Sequence, residues 1–118
     1  IKVSGLDKAD WGFIDTEGNL VIEANYAYAY EFSEDLAAVK VGDVKDGKWG
    51  FIDKKGEIVI EPQFIHALPF NEGVAAVMTG DEQNGKWGYI NKSGEFVIEP
   101  QFVSAGSFAQ GIAPVGVE

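Results

Sequence analysis

The chain has no cysteine, one histidine, one methionine and four prolines among its 118 residues. Without cysteine there is no disulfide, no thiolate zinc site and no thiol nucleophile. The compartment stays open, because disulfide-free domains occur on both sides of a membrane. Basic side chains are scarce as well, 9 against 19 acidic ones, for a net charge of −10. A field of that sign repels phosphate backbones and anionic lipid, so nucleic acid is excluded as the expected partner. No apolar run exceeds a few residues, which argues against membrane insertion, and no basic start followed by an apolar stretch marks a signal peptide. The first residue is Ile1 rather than a methionine, which reads as a processed chain or an excised piece. A chain of this length is expected to form a single domain, 1–118, that hides roughly two thirds of its unfolded surface, enough for a modest core without staples.

What the chain does have is self-similarity. Trp11-Gly12, Trp49-Gly50 and Trp87-Gly88 stand 38 residues apart. Trp49-Gly50-Phe51-Ile52-Asp53 returns as Trp87-Gly88-Tyr89-Ile90-Asn91, and Glu61-Pro62-Gln63-Phe64 as Glu99-Pro100-Gln101-Phe102. A fixed period in this range marks an array whose units rely on their neighbours to bury their apolar faces. The units are 10–47, 48–85 and 86–118, with 1–9 as the end of a preceding unit.

Each unit contains three strand-like runs, in the second copy Leu36 to Val41, Lys48 to Asp53 and Glu57 to Ile60. They are rich in β-branched and aromatic residues and bounded by glycine and aspartate. Asp46-Gly47 and Asn84-Gly85 suit one hairpin, and Lys55-Gly56 and Ser93-Gly94 the next. Each unit is therefore predicted to be a three-stranded antiparallel meander. Between units, the prolines of Glu61 to Phe70 argue for a turn or short helical turn carrying two anchoring phenylalanines. No segment keeps a 3.6-residue apolar period, so the fold class is all-β. Ile1-Lys2-Val3, Val39-Lys40-Val41 and Val115-Gly116-Val117 share a column, so the chain starts and stops on the same kind of strand. That leaves an edge open to association and favours an open array over a closed trefoil or propeller.

The unit Lys-Trp-Gly-Phe-Ile-Asp-Lys-x-Gly-x-x-Val-Ile-x-Pro-Gln-Phe, followed by Ala, Phe and Glu-Gly-hydrophobic-Ala, resembles the bacterial WG (KWG) repeat. The likeness covers nearly the whole chain. The first copy departs, with Asp10 before Trp11, Ala24-Asn25-Tyr26 for Pro-Gln-Phe and Asp35 for the glycine of Glu-Gly, which suggests a capping or specialised unit. The resemblance implies a scaffold or binding surface in an open array of variable copy number. It carries no common enzymatic activity and no cofactor.

The three tryptophans are expected in the core, since each can bury on the order of 150–250 Å². The glycine after each is expected to let a neighbouring ring or backbone come close. Columns in which the copies differ are the better place to look for function. Tyr26-Ala27-Tyr28-Ala29-Tyr30-Glu31-Phe32 alternates at period two, which on a strand lines one face with four rings. Tyr26 and Phe32 share columns with phenylalanines and read as core. Tyr28 and Tyr30 face His66, Leu68, Ser104 and Gly106 in the other copies, which makes them the candidate partner-binding residues or else a cap over the first unit. Failing them, the hairpin tips at Asp43 to Asp46 and Asp81 to Asn84 are the next place for a site.

Three acidic columns recur, Asp15, Asp53 and Asn91, then Glu23, Glu61 and Glu99, then Glu34, Glu72 and Gln110. They read as solvated edge charge that can attract a basic partner, not as a metal site, because no stretch has the spacing of a calcium loop. No carboxylate pair stands out for glycoside hydrolysis. His66 has no nucleophile in a recognisable setting, so no catalytic residue, cofactor or metal ligand is assigned. The expected function is a non-catalytic binding module presenting an acidic β surface to a protein or glycan partner. The alternative is a structural protein that self-associates through its edge strands, and a hydrolase accessory domain comes third.

Overall fold

A computed structural model describes residues 11–42, 47–80 and 84–117. The Ile1-Lys2-Val3 segment and the tips at 43–46 and 81–83 lie outside them. No helix occurs among the described residues, whose strands in chain order are β1 (Trp11–Ile14), β2 (Leu20–Tyr26), β3 (Tyr28–Ala29), β4 (Ala37–Val41), β5 (Lys48–Ile52), β6 (Ile58–Phe64), β7 (His66–Ala67), β8 (Ala75–Thr79), β9 (Lys86–Ile90), β10 (Phe96–Phe102), β11 (Ser104–Ala105) and β12 (Val115–Gly116). The expected meander is present as β4-β5-β6 and again as β8-β9-β10. A short fourth strand joins each, giving antiparallel sheets β3-β4-β5-β6 and β7-β8-β9-β10. The pair β1-β2 precedes them and the pair β11-β12 follows. The tail falls where its column placed it, since Ser104 faces Gly116 as His66 faces Met78 and Tyr28 faces Lys40. The sheets do not close into a barrel, and the Cα envelope measures 42 × 30 × 20 Å.

The connection between units differs from the turn that the prolines suggested. The chain runs extended through β6, bends at Ile65 alone and enters β7 in the next sheet, and Ala27 and Val103 make the same one-residue bend. Pro62 is accommodated because β6 is the edge of its sheet and Pro62 lies in a bulge. Trp49 pairs with Phe64 and Phe51 with Ile60, so the single residue Gly50 faces the three residues Glu61-Pro62-Gln63. This geometry also explains the second half of the Trp-Gly motif. A Cβ on Gly50 would stand 2.6 Å from the Ile60 carbonyl oxygen and 2.8 Å from the Pro62 nitrogen. Gly12 and Gly88 meet the equivalent backbone atoms at 2.7 and 2.6 Å.

The sheets stack face to face. One core cluster, around Trp49, Phe51, Ile60, Phe64, Phe70, Val77 and Ile90, joins the two four-stranded sheets. A second, of Ile22, Tyr26, Ala29, Ala37, Val39 and Ile52, joins β1-β2 to the sheet that follows. Ala38 belongs to the first cluster and Ala37 and Val39 to the second, so β4 is buried on both faces. Trp49, with a unit on either side, is only 6% exposed, while Trp11 and Trp87 in the outer units are partly open.

Candidate functional site

The bend at Ala27 divides the aromatic run instead of letting it line one face. Tyr26 is buried and Phe32 partly so, and both pack in the cluster with Ile22 and Val39, as their columns suggested. Tyr28 and Tyr30 form a separate group, with ring centroids 5.5 Å apart. Tyr28 sits 4.6 Å from the Trp11 ring and 5.9 Å from that of Trp49. Tyr30 stacks on Trp49 at 5.3 Å with an interplanar angle of 27°. The two tyrosines are thus unequal. Tyr28 is 43% exposed, whereas Tyr30 is half-buried against the main core. Burial raises the Tyr30 phenol above its ordinary pKa, and the neighbouring Tyr28 adds to the effect.

These rings line a cleft of about 420 Å³ on the first unit, with Trp11, Phe13, Ile14, Ala29 and Glu31 completing the wall. Column differences alone identified Tyr28 and Tyr30. They did not reveal Trp11 or Ile14, because those join the cleft only through the fold of β1 onto β3, whereas Glu31 lies beside Tyr30 in the same run. The equivalent positions of the other units present different surfaces. His66 lies nearly parallel to Trp87, at 6.1 Å and 10°. Ser104 and Gly106 border a separate opening of about 400 Å³ with Pro114, Val115 and Gly116.

Two of the acidic columns are bound to the backbone rather than merely solvated. Asp15 Oδ1 accepts the N–H groups of Glu17 and Asn19 at 2.9 and 3.0 Å, and Asp53 and Asn91 repeat the pattern at their own turns. The N–H groups of Asn19 and then Glu17 hold the Asp15 carboxyl below its ordinary pKa. The Glu34 carboxylate reaches the next unit and accepts the N–H groups of Glu72 and Gly73 at 2.6 and 2.9 Å. Glu72 treats Gln110 and Gly111 in the same way, at 2.6 and 2.9 Å. Among the described residues no group of three His, Cys, Asp or Glu side chains is gathered as a metal site would need.

The WG containing repeat matches three times, over residues 11–44, 49–86 and 87–118. No curated protein and no solved structure matches the chain. Each matched segment holds four strands, and the middle one takes the last two of one four-stranded sheet and the first two of the next. With three matched units spanning nearly its whole length, the chain belongs to the WG-repeat family.

Proposed function

We propose that this chain is a non-catalytic binding module and that its first unit holds a partner segment, from a protein or a glycan, in the cleft between Trp11, Tyr28 and Tyr30. One observation carries the reading. The most exposed ring in the run, Tyr28, stands at a position that the architecture leaves free, since Ser104 serves in the third unit, and it faces a cleft lined by aromatic groups. Aromatic side chains supply rigid contact area at low entropic cost, and both sugar rings and side chains stack on them. An exposed carboxylate, Glu31, stands on the same wall and can accept hydrogen bonds from a ligand.

The test is a parallel screen of immobilised oligosaccharides and peptides against the native chain and Tyr28→Ser. Ligands retained by the native chain and lost by the variant, at an unchanged melting temperature, support the reading. Equal retention by both moves the site away from the cleft. Tyr30→Ser is the less informative change, because Tyr30 stacks on the buried Trp49 and its loss disturbs the core.

A further inference from the structure

We infer that the ligand of this cleft is a cation on an extended protein chain, a lysine or arginine side chain of a basic peptide. This rests on the binding reading above and adds the chemical class. The wall gathers the faces or edges of Trp11, Phe13, Tyr28 and Tyr30, and among the described residues its one carboxylate is that of Glu31. Aromatic faces carry the negative end of a quadrupole, and tryptophan and tyrosine attract ammonium and guanidinium groups within about 6 Å of the ring centre.

Charge at longer range points the same way. The net charge of −10 gives an incoming cation a favourable field and a basic peptide an enhanced encounter rate at low salt. A neutral sugar gains nothing from that field. The chain itself places a lysine among these aromatics, since Lys40 of β4 lies in register between Tyr28 of β3 and Trp49 of β5, with its side chain on their face of the sheet. The volume of the cleft, about 420 Å³, exceeds what one lysine or arginine head occupies, so neighbouring residues of the peptide have room beside it.

Isothermal titration of the native chain with an acetylated, amidated pentapeptide, Gly-Ala-Lys-Ala-Gly, and with its arginine and norleucine counterparts tests the inference. The expected result is binding of the lysine or arginine peptide at least about tenfold tighter than the norleucine one, a difference of about 1.4 kcal/mol, and weakening as sodium chloride rises. Tyr28→Leu should lower affinity for the cationic peptide by about tenfold and Tyr28→Phe by much less, since the ring is retained. Glu31→Gln should cost a few-fold and flatten the salt dependence. Circular dichroism melts of the three variants establish that the fold is kept. Equal binding of the norleucine peptide overturns the cationic class. A neutral oligosaccharide that binds with Tyr28 sensitivity, where no cationic peptide does, also overturns it while leaving the cleft as a binding site. Cationic binding indifferent to Tyr28→Leu overturns both the class and the location.

Discussion

The carboxylate of Glu34 grips the turn that begins at Glu72, with Oε2 accepting the Glu72 N–H at 2.6 Å across a separation of 38 residues. The gripped turn has the shape that exposes two adjacent N–H groups, with φ of +56° at Glu72 and +84° at Gly73. Each unit is therefore tied to the next by charge-assisted hydrogen bonds at its rim as well as by apolar contact between its sheets. Ser33 adds a further tie, its hydroxyl donating to the Phe70 carbonyl oxygen at 2.6 Å.

Replacing Glu72 by glutamine keeps the shape but leaves one acceptor oxygen for two donors. Hydrogen bonds to charged groups contribute about 1.5–3 kcal/mol when shielded, and solvent screening at this exposed rim lowers that, so Glu72→Gln should destabilise by about 1 kcal/mol. Urea unfolding measures the loss, and native-state hydrogen exchange should quicken most at Gln110 and Gly111.

Gly50→Ala places a methyl group against backbone on two sides, the Ile60 carbonyl and Pro62. No side-chain rotation relieves that contact, so a loss of about 2–3 kcal/mol is expected, with the β5–β6 bulge forced outward. Gly73→Ala is a contrasting case. Its Cβ would meet nothing within 4 Å, and only the positive φ of +84° opposes it, at a cost of about 1–2 kcal/mol. A melt in which Gly50→Ala unfolds no earlier than Gly73→Ala would contradict the bulge explanation.

Asp35 occupies the column of Gly73 and Gly111 with φ of +72°, which disfavours a side chain. Its ion pair with Lys54, at 3.1 Å, joins side chains that are 68% and 80% exposed and adds little. Asp35→Gly should therefore raise stability, by about 0.5–1 kcal/mol, read as a higher urea midpoint with an unchanged slope.

Burial raises the phenols of Tyr26, Tyr30 and Tyr89 above their ordinary value. The folded chain holds these protons more tightly than the unfolded one, so their contribution is fully present below the unfolded value near pH 10 and is lost as pH rises through the folded values. Absorbance at 295 nm should show ionisation of these three delayed beyond pH 10, and the melting temperature should fall across the same interval. The Asp15 carboxyl works in the opposite direction. Its pKa is lowered by backbone N–H groups, so its contribution holds above about pH 4 and fades on acidification.

The fold was legible where a local rule governs it. Strand runs, turn glycines and the Trp-Gly period identified the meanders, and the need for glycine after tryptophan followed from backbone crowding. Pro62 misled because a proline ordinarily breaks a ladder, and nothing local announces that three residues will bulge over one glycine at a sheet edge. Tyr28 and Tyr30 were legible through their departure from the column. Their separation into an exposed ring and a core-packed one was not, since it depends on Trp49 arriving from two strands away. The carboxylates of Glu34 and Glu72 looked solvated because their donors lie one whole unit along the chain.

The one-residue bends at Ala27, Ile65 and Val103 have a consequence for how such a chain lengthens. Each four-stranded sheet is assembled from the trailing half of one unit and the leading half of its successor, so the joint between these neighbours in sequence falls inside a sheet. Inserting one 38-residue block at any phase of the period regenerates the same pairings on both sides of the cut, with no orphaned strand in the interior. A gene for this architecture tolerates unequal recombination between its own copies wherever the crossover falls, and the outer surfaces, including the cleft of the first unit, are carried along unchanged.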